Sequence, residues 1–519
     1  MRPYTILDFE RGSGNRFRRS ICRNHFLNCY YKNIPLYVTL KNMKTRNNKI
    51  QKRSIPQTPM TATYNLPDGP QMPRWLRMIK FIGQPLKYVD DFAKIYGGTF
   101  TIRSSRGDNH IVYFSQPQAL EQIFTADSSH FEVGRGNIGL KFLLGDRSFM
   151  LADGDRHQRQ RQLLAPPFHG ERMRAYGQDI QTITRQVSNK WQIGKPFKIR
   201  ESMQEITLRV ILRVVFGLDE GELFEELRRS LSDLLDFISS PVMSSTLFFR
   251  FMQKDFGAWS PWGRILQQRQ KIDQLIYTLL RERRAESDQN RQDILSLMMA
   301  ARYDDGQGMS DEELHDELMT LLVAGHETTA SALTWAFYWI DHSPEVREKL
   351  LQELNTIGVN PDLSSVAKLP YLTAACQETL RIYPIAMTAF VRIVKIPIKI
   401  MGYELPEGTA IVPSIYLAHH REEVYPQSKQ FKPERFLERQ YSPYEYLPFG
   451  GGNRRCIGMA FAQYEMKIVL ATVLSDFQVS LVNKRPVRPV RRGLTIATPT
   501  GMRMVATPQV KRANTPGLV

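Results

Sequence analysis

Cysteine is scarce in this chain. Its 519 residues hold four, Cys22, Cys29, Cys376 and Cys456, which excludes a disulfide-stapled secreted scaffold. Long hydrophobic runs are missing too. No apolar stretch approaches the roughly 18 residues that a membrane span requires, and the longest early candidate, Ile34 to Leu40, is short and contains Pro35. Internal repeats and low-complexity segments are absent. Apolar residues at 42% and charged residues at 24% stand near globular averages, so wholesale disorder and a fibrous repeat are excluded as well. No Gly-rich nucleotide motif falls between a strand and a helix, so no flavin or nicotinamide module is expected within the chain.

Acidic residues are scarce at the two ends only. The formal charge is +18, which invites a nucleic-acid or acidic-membrane reading. Residues 1–59 hold 13 Lys/Arg and 2 Asp/Glu, residues 482–519 hold 8 and none, and residues 60–481 hold 49 and 50. The body is therefore near neutral, and nucleic acid is not expected as a partner. Residues 1–59 also lack helical and strand periodicity. Three readings compete: upstream sequence with the true start at Met60, an Arg-rich and acid-poor transit peptide, or a disordered basic extension. The expected organisation is that segment, one domain over 60–510, and a tail at 511–519.

From about Tyr88 the pattern is mainly α with small β-sheets, an α+β chain. Thr99–Ile102 and Ile111–Phe114 read as a hairpin around Gly107 and Asp108. The longest helix signal opens at Ser310, where Ser310 and Glu313 make a capping box, and continues to about Asp341. Ser343 and Pro344 start another helix. Lys395 to Ile400 alternates as a strand, Gly402 to Gly408 is rich in turn residues, and a last helix runs from about Ile457 to Asp476.

The chemistry concentrates in Phe449-Gly450-Gly451-Gly452-Asn453-Arg454-Arg455-Cys456-Ile457-Gly458. Three glycines let the backbone approach something flat or bulky. Cys456 stands at a helix start among arginines, where a thiolate is favoured. A single thiolate suits axial ligation of a haem iron and not zinc, which needs four clustered ligands. A buried Cys beside a flexible loop is the plainer alternative.

Phe449, Gly452, Arg454, Cys456 and Gly458 match the Phe-x-x-Gly-x-Arg-x-Cys-x-Gly signature, and here the chain resembles the cytochromes P450. The resemblance covers about residues 66–510. It implies the P450 fold with a long central helix crossing over the haem, haem b ligated through Cys456, and O2 as co-substrate. Glu378 and Arg381 match the family's Glu-x-x-Arg, and Arg435 in Pro433-Glu434-Arg435-Phe436 matches its second arginine; the implied role of the three is structural. Ala324-Gly325-His326-Glu327-Thr328-Thr329 matches the oxygen-activation segment. Gly325 suggests a local opening of the helix. Ala324 and Thr328 would face the iron's open side and Glu327 would belong to the proton relay, while His326 is expected on the helix surface and not as a ligand. His157 and Arg161 share a helix face at i and i+4; with Arg392 and Arg454 they match the positions that meet the haem propionates. Phe449 would pack on the Cys456 sulfur.

The Ala-Gly-His-Glu-Thr-Thr form is most similar to soluble bacterial members, especially the cyanobacterial branch that resembles long-chain fatty-acid hydroxylases. The implied activity is insertion of one oxygen atom of O2 into a C–H bond of an apolar substrate, a long-chain fatty acid or related lipid. A terpenoid or alkane hydroxylase is the alternative, and beyond it a peroxide-dependent enzyme or isomerase, which would not need Glu327 and Thr328. The Phe- and Met-rich stretch 237–252 reads as core helix or as an apolar lid, Ile385, Ala386 and Met387 would line the pocket, and Arg135 or Arg250 would anchor a carboxylate. Electrons would come from a ferredoxin and its reductase, docked on Arg455 and Lys432. The expected state is a monomer in a bacterial cytoplasm, or in an organelle if 1–59 is a transit peptide.

Overall fold

Helices dominate because apolar residues recur at helical spacing through most of the body. The computed structural model describes residues 65–103, 110–168, 170, 172–239, 253–286, 291–358, 361–493 and 495–509. Residues 1–59, the turn residues Gly107 and Asp108, most of the 237–252 stretch with Arg250, and the 511–519 tail lie outside them.

The central helix, Asp311–His342, spans 32 residues without a break, about 48 Å at 1.5 Å per residue. Its start is fixed locally. Ser310 Oγ accepts the Glu313 amide at 3.2 Å, and the Glu313 carboxylate accepts the Ser310 amide at 3.0 Å. Helices Ile199–Val214, Pro261–Ala285, Pro370–Ile382 and Met459–Asp476 pack around it. Its apolar residues join the largest core cluster, in which Trp335 is fully buried. Next comes helix Pro344–Thr356 with Pro344 in its first turn; Ser343 stands at the cap without a side-chain hydrogen bond. The last helix begins at Met459, two residues later than its sequence signal.

Strands occupy the edges. They are β1 (Thr99–Arg103), β2 (His110–Phe114), β3 (Phe131–Glu132), β4 (Pro196–Phe197), β5 (Arg392–Val394), β6 (Ile398–Ile400), β7 (Tyr403–Leu405), β8 (Ala410–Pro413), β9 (Phe477–Leu481), β10 (Val490–Arg492), β11 (Thr495–Ala497) and β12 (Met504–Pro508). The main sheet runs β1-β2-β8-β5-β3, with β2 and β8 parallel and the other pairs antiparallel. Thr99 faces Phe114 across the first hairpin and Arg103 faces His110. The smaller sheets are β4-β12-β9, β6-β7 and β10-β11.

Two local expectations are corrected. Lys395 to Ile400 is not one strand. Lys395 and Ile396 bend away and both send their amides to the His130 carbonyl, at 2.8 and 3.4 Å. Pro397 has no amide to offer a ladder, so β5 and β6 end up in different sheets. The turn-rich stretch Gly402–Gly408 contains a strand, β7, which closes a hairpin on β6. Among the described residues, no helix is long and apolar enough to cross a membrane.

Candidate active site

The loop before helix Met459–Asp476 turns on glycine. Gly450 and Gly452 have φ of +72° and +65°, a left-handed conformation that side chains rarely adopt. A Cβ on Gly451 would lie 2.6 Å from the Phe124 ring, and one on Gly452 2.7 Å from the Phe124 carbonyl oxygen. Phe124 is thus one flat group to which the glycine run admits the backbone. The Cys456 amide donates to the Phe449 carbonyl at 3.0 Å, which closes the loop. The Cys456 side chain is accessible, although Arg454 and Ile457 on either side are buried. Desolvation by the surrounding protein pushes its thiol pKa up; the Gly458 amide and the Arg161 and Arg455 guanidiniums pull it down.

Cations crowd the same region. Arg454 is buried and donates to the Ala152 carbonyl at 2.5 Å and to Asp153 at 2.8 Å. Asp153 also accepts the amides of Val133 and Gly134 at 2.9 and 3.0 Å. Arg392 is buried, lies 4.8 Å over the Phe124 ring and donates to the Phe390 carbonyl at 3.0 Å. Burial, then repulsion from Arg454, lowers its pKa to about 9. Burial lowers that of Arg454 to about 10, with Asp153 opposing and Arg161 adding to the fall. Arg161, half-buried on helix Gly154–Leu164, is lowered by burial and held up by Cys456. His157, one turn earlier, is buried; burial and the Arg454 and Arg161 charges take its pKa to about 3. Its imidazole is therefore neutral near pH 7.

These residues fit a haem. Three desolvated guanidiniums face one ion-paired carboxylate, Asp153, and the buried Nε of Arg454 has no partner. Such an excess of buried positive charge suits two further carboxylates, which is what a pair of propionates supplies. One accessible thiol beside them suits a single axial bond.

On the central helix, burial is continuous from Leu314 to Leu322 and resumes at His326; Val323, Ala324, Gly325 and Thr328 interrupt it. Ala324 and Thr328, one turn apart, form the helix's open face, while Val323 packs on the main core cluster and Gly325 on helix Ile199–Val214. Thr328 Oγ1 donates to the Ala324 carbonyl at 2.5 Å. Gly325 does not open the helix. A Cβ there would lie 2.6 Å from Ile211 Cδ1, so the glycine serves close approach to helix Ile199–Val214. His326 is buried, not on the surface: its Nδ1 lies 2.8 Å from Thr207 Oγ1, and burial takes its pKa to about 3. Glu327 is ion-paired with Arg200, and Gln204 donates to it at 3.2 Å.

Glu378 is fully buried. It accepts Arg381 Nε at 2.6 Å and Nη2 at 2.8 Å, Arg435 Nε at 3.1 Å and the Lys432 amide at 2.8 Å. Arg381 also donates to the His419 and Gln430 carbonyls. A carboxylate so fully desolvated needs all of these donors. Phe449 is half-buried against the main core cluster.

Sequence reasoning assigned no role to Asp153, Arg200, Gln204 or Phe124. A signal existed for two of them: Arg200, Gln204 and Thr207 recur at i, i+4 and i+7 on a helix whose other buried residues are mostly apolar. Arg135 is an exposed partner of Glu132 at 2.9 Å. Lys432 reaches Glu438 at 3.5 Å, and Arg455 is exposed.

Known proteins share this fold. The cytochrome P450 family profile matches residues 67–505. The chain is 32% identical over 448 residues to putative cytochrome P450 135B1 of Mycobacterium tuberculosis, covering 86% of this chain and 92% of that one. It is 34% identical over 459 residues to putative cytochrome P450 138 of the same organism, covering 87% and 98%. Among solved structures, retinoic-acid-bound cyanobacterial CYP120A1 superposes with a TM-score of 0.75 at 22% identity, over 86% of this chain and 100% of that one. The haem domain of cytochrome P450DA superposes at 0.72 with 21% identity, over 86% and 97%. The chain belongs to the cytochrome P450 family. It is accordingly a monooxygenase that uses a thiolate-ligated haem b and O2.

Proposed function

We propose that this monooxygenase hydroxylates an apolar small molecule, a long-chain fatty acid or related lipid. The observation that carries the reading is the makeup of the open face on the central helix, Ala324 and Thr328, where a single hydroxyl is the only polar side-chain group. Ala386 and Met387 are also accessible, while Ile385 is buried.

The residue roles belong to the same proposal. Cys456 would hold the iron, and Arg161, Arg392, Arg454 and neutral His157 would hold the propionates, with Gly452, Gly458 and Phe449 shaping the loop. Haem supplies the oxygen activation, with one oxygen atom going to the substrate and one leaving as water after delivery of two electrons and two protons. Ala324 leaves room beside Thr328. The Thr328 hydroxyl, now given to the Ala324 carbonyl, can turn to donate into the open face. Glu327 hands on protons only after its carboxylate leaves Arg200, because the buried ion pair occupies it. Glu378, Arg381 and Arg435 hold the fold on the thiolate side. The catalytic domain is residues 60–510, working as a monomer in a bacterial cytoplasm with electrons from a separate ferredoxin and its reductase. Arg455 and Lys432 offer that donor a basic surface.

The test is a spin-state titration of the full-length haem protein with fatty acids and with terpenes. Saturable shifts by long-chain fatty acids support the reading, and shifts by terpenes alone overturn it in favour of terpenoid hydroxylation. In parallel, Cys456→Ala should lose the red-shifted Soret band of the reduced carbon monoxide complex. A variant that kept the band would remove Cys456 as ligand.

A further inference from the structure

About 20 Å up the central helix from Thr328, at 1.5 Å per residue, His315 is buried between two carboxylates. Its Nδ1 lies 2.9 Å from Asp316 Oδ1, and its Nε2 lies 3.0 Å from Asp273 Oδ1 on helix Pro261–Ala285. Its ring stacks on Tyr277 of that helix, 4.6 Å between centroids and 7° between planes. A neutral imidazole has one N–H and one lone pair, and an ionised carboxylate only accepts. Both contacts are hydrogen bonds only when the ring carries two N–H groups, as an imidazolium.

The surrounding charges require the same state. Arg269 donates to Asp273 at 2.6 Å. Asp273 and Asp316 therefore face Arg269 and His315, two against two, and the cluster is neutral only when His315 is protonated. Glu317, next along the helix, accepts the Phe149 amide at 2.7 Å; burial, with the Asp316 and Glu313 charges, drives its pKa well up against Arg156, and this favours its neutral form and leaves the count unchanged. Lys141 pairs with Asp146 at 2.6 Å on the surface. Helix Ile294–Ala300, packed alongside, carries no charged side chain.

The cluster fastens more than two helices. Arg269 donates to the carbonyls of Phe142 and Leu143 at 2.8 and 2.5 Å. The second oxygen of Asp316 accepts the Arg147 amide at 2.7 Å. Gly145, at φ +90°, presses so closely on Asp316 that a Cβ would overlap its carboxylate. We propose that His315 is a proton-operated latch. Protonated, it fastens helix Pro261–Ala285 and the 142–147 segment to the central helix; deprotonated, it turns a lone pair on one carboxylate and releases that helix.

The pH dependence has a definite sign. Burial pulls the His315 pKa down, but Asp273 and Asp316 outweigh it and leave the value above 6.5. The latch is therefore fully closed below the unfolded-state value of about 6.5 and opens as pH rises through the folded value. The test uses the full-length haem protein and two readouts. Nitrogen-15 NMR of the imidazoles, with His315 assigned from the signal lost in His315→Gln, should show it titrating above 6.5 and should show a lower value in Asp273→Asn. Hydrogen exchange, corrected for intrinsic rate, should show protection in residues 265–280 falling about tenfold for each unit by which that pKa exceeds 6.5. In His315→Lys, which keeps a cation, protection should not change over the same range. A His315 titrating at or below 6.5 overturns the proton bridge. Protection that stays constant in the native protein through the His315 titration overturns the latch.

Discussion

Gly325→Ala isolates what the glycine in the central helix does. In an unobstructed helix interior, alanine is more favourable than glycine by about 1 kcal/mol. Here the new methyl would stand 2.6 Å from Ile211 Cδ1 and 3.4 Å from its Cγ1. Carbon pairs settle at about 3.5–4.0 Å, so the overlap with Cδ1 approaches a full ångström, and overpacking of this kind costs about 1–3 kcal/mol. The single variant should be neutral to about 2 kcal/mol destabilised. Ile211→Val removes Cδ1 and alone should cost about 0.5–1.5 kcal/mol. In that background Gly325→Ala should recover most of its helix preference and stabilise. The coupling energy across the cycle should therefore be about 1–3 kcal/mol in favour of the double variant, read by urea unfolding of the four proteins. A coupling below about 0.5 kcal/mol would show that helix Ile199–Val214 yields to the methyl, and that Gly325 is not there for close approach.

Three further outcomes follow from buried charge. Glu378→Gln leaves the Arg381 and Arg435 guanidiniums desolvated without a counter-charge; it should cost about 3–5 kcal/mol and impair haem retention, seen as a lowered haem-to-protein ratio and denaturation midpoint. Asp153→Asn removes the carboxylate paired with Arg454 and loosens the bond between residues 133–134 and the Cys456 loop; limited proteolysis should cut near residue 134 faster than in the native chain. His326 is neutral in the fold with a pKa of about 3, while the unfolded chain protonates it near 6.5. Stability should fall as pH drops between those values, with a contribution approaching 1.4 kcal/mol per unit; His326→Gln should make the pH–stability curve shallower in that window, and an unchanged slope would show that His326 does not stay neutral.

Local signals were legible in the sequence and non-local ones were not. The capping box of Ser310 and Glu313 is a contact three residues long, so it reads directly and sets the start of the central helix. The strand at Lys395 to Ile400 misleads because its alternation is real, but the amides of Lys395 and Ile396 find the His130 carbonyl, far away in sequence. Gly325 reads as a weak point in one helix until a second helix is placed against it. His326 is a surface residue on any helix drawn alone and a buried one once Thr207 arrives. The triad of Glu378, Arg381 and Arg435 came from family resemblance; spacing alone relates only its first two members, since Arg435 lies 57 residues beyond Glu378. Charge balance around His315 was invisible for the same reason, since Asp273 and Arg269 belong to another helix.

The central helix is made long before the segment that shields its far side. Helix Met459–Asp476 packs on it, yet about 120 residues separate His342 from Met459. At roughly 5–20 residues per second, that interval on the ribosome lasts about 6–24 s. During it a 32-residue helix, greasy on nearly every side, waits without one of its main partners, and Cys456 has not yet been translated. A newborn chain is therefore most vulnerable to clumping during that interval, before residues 459–476 exist to cover the helix.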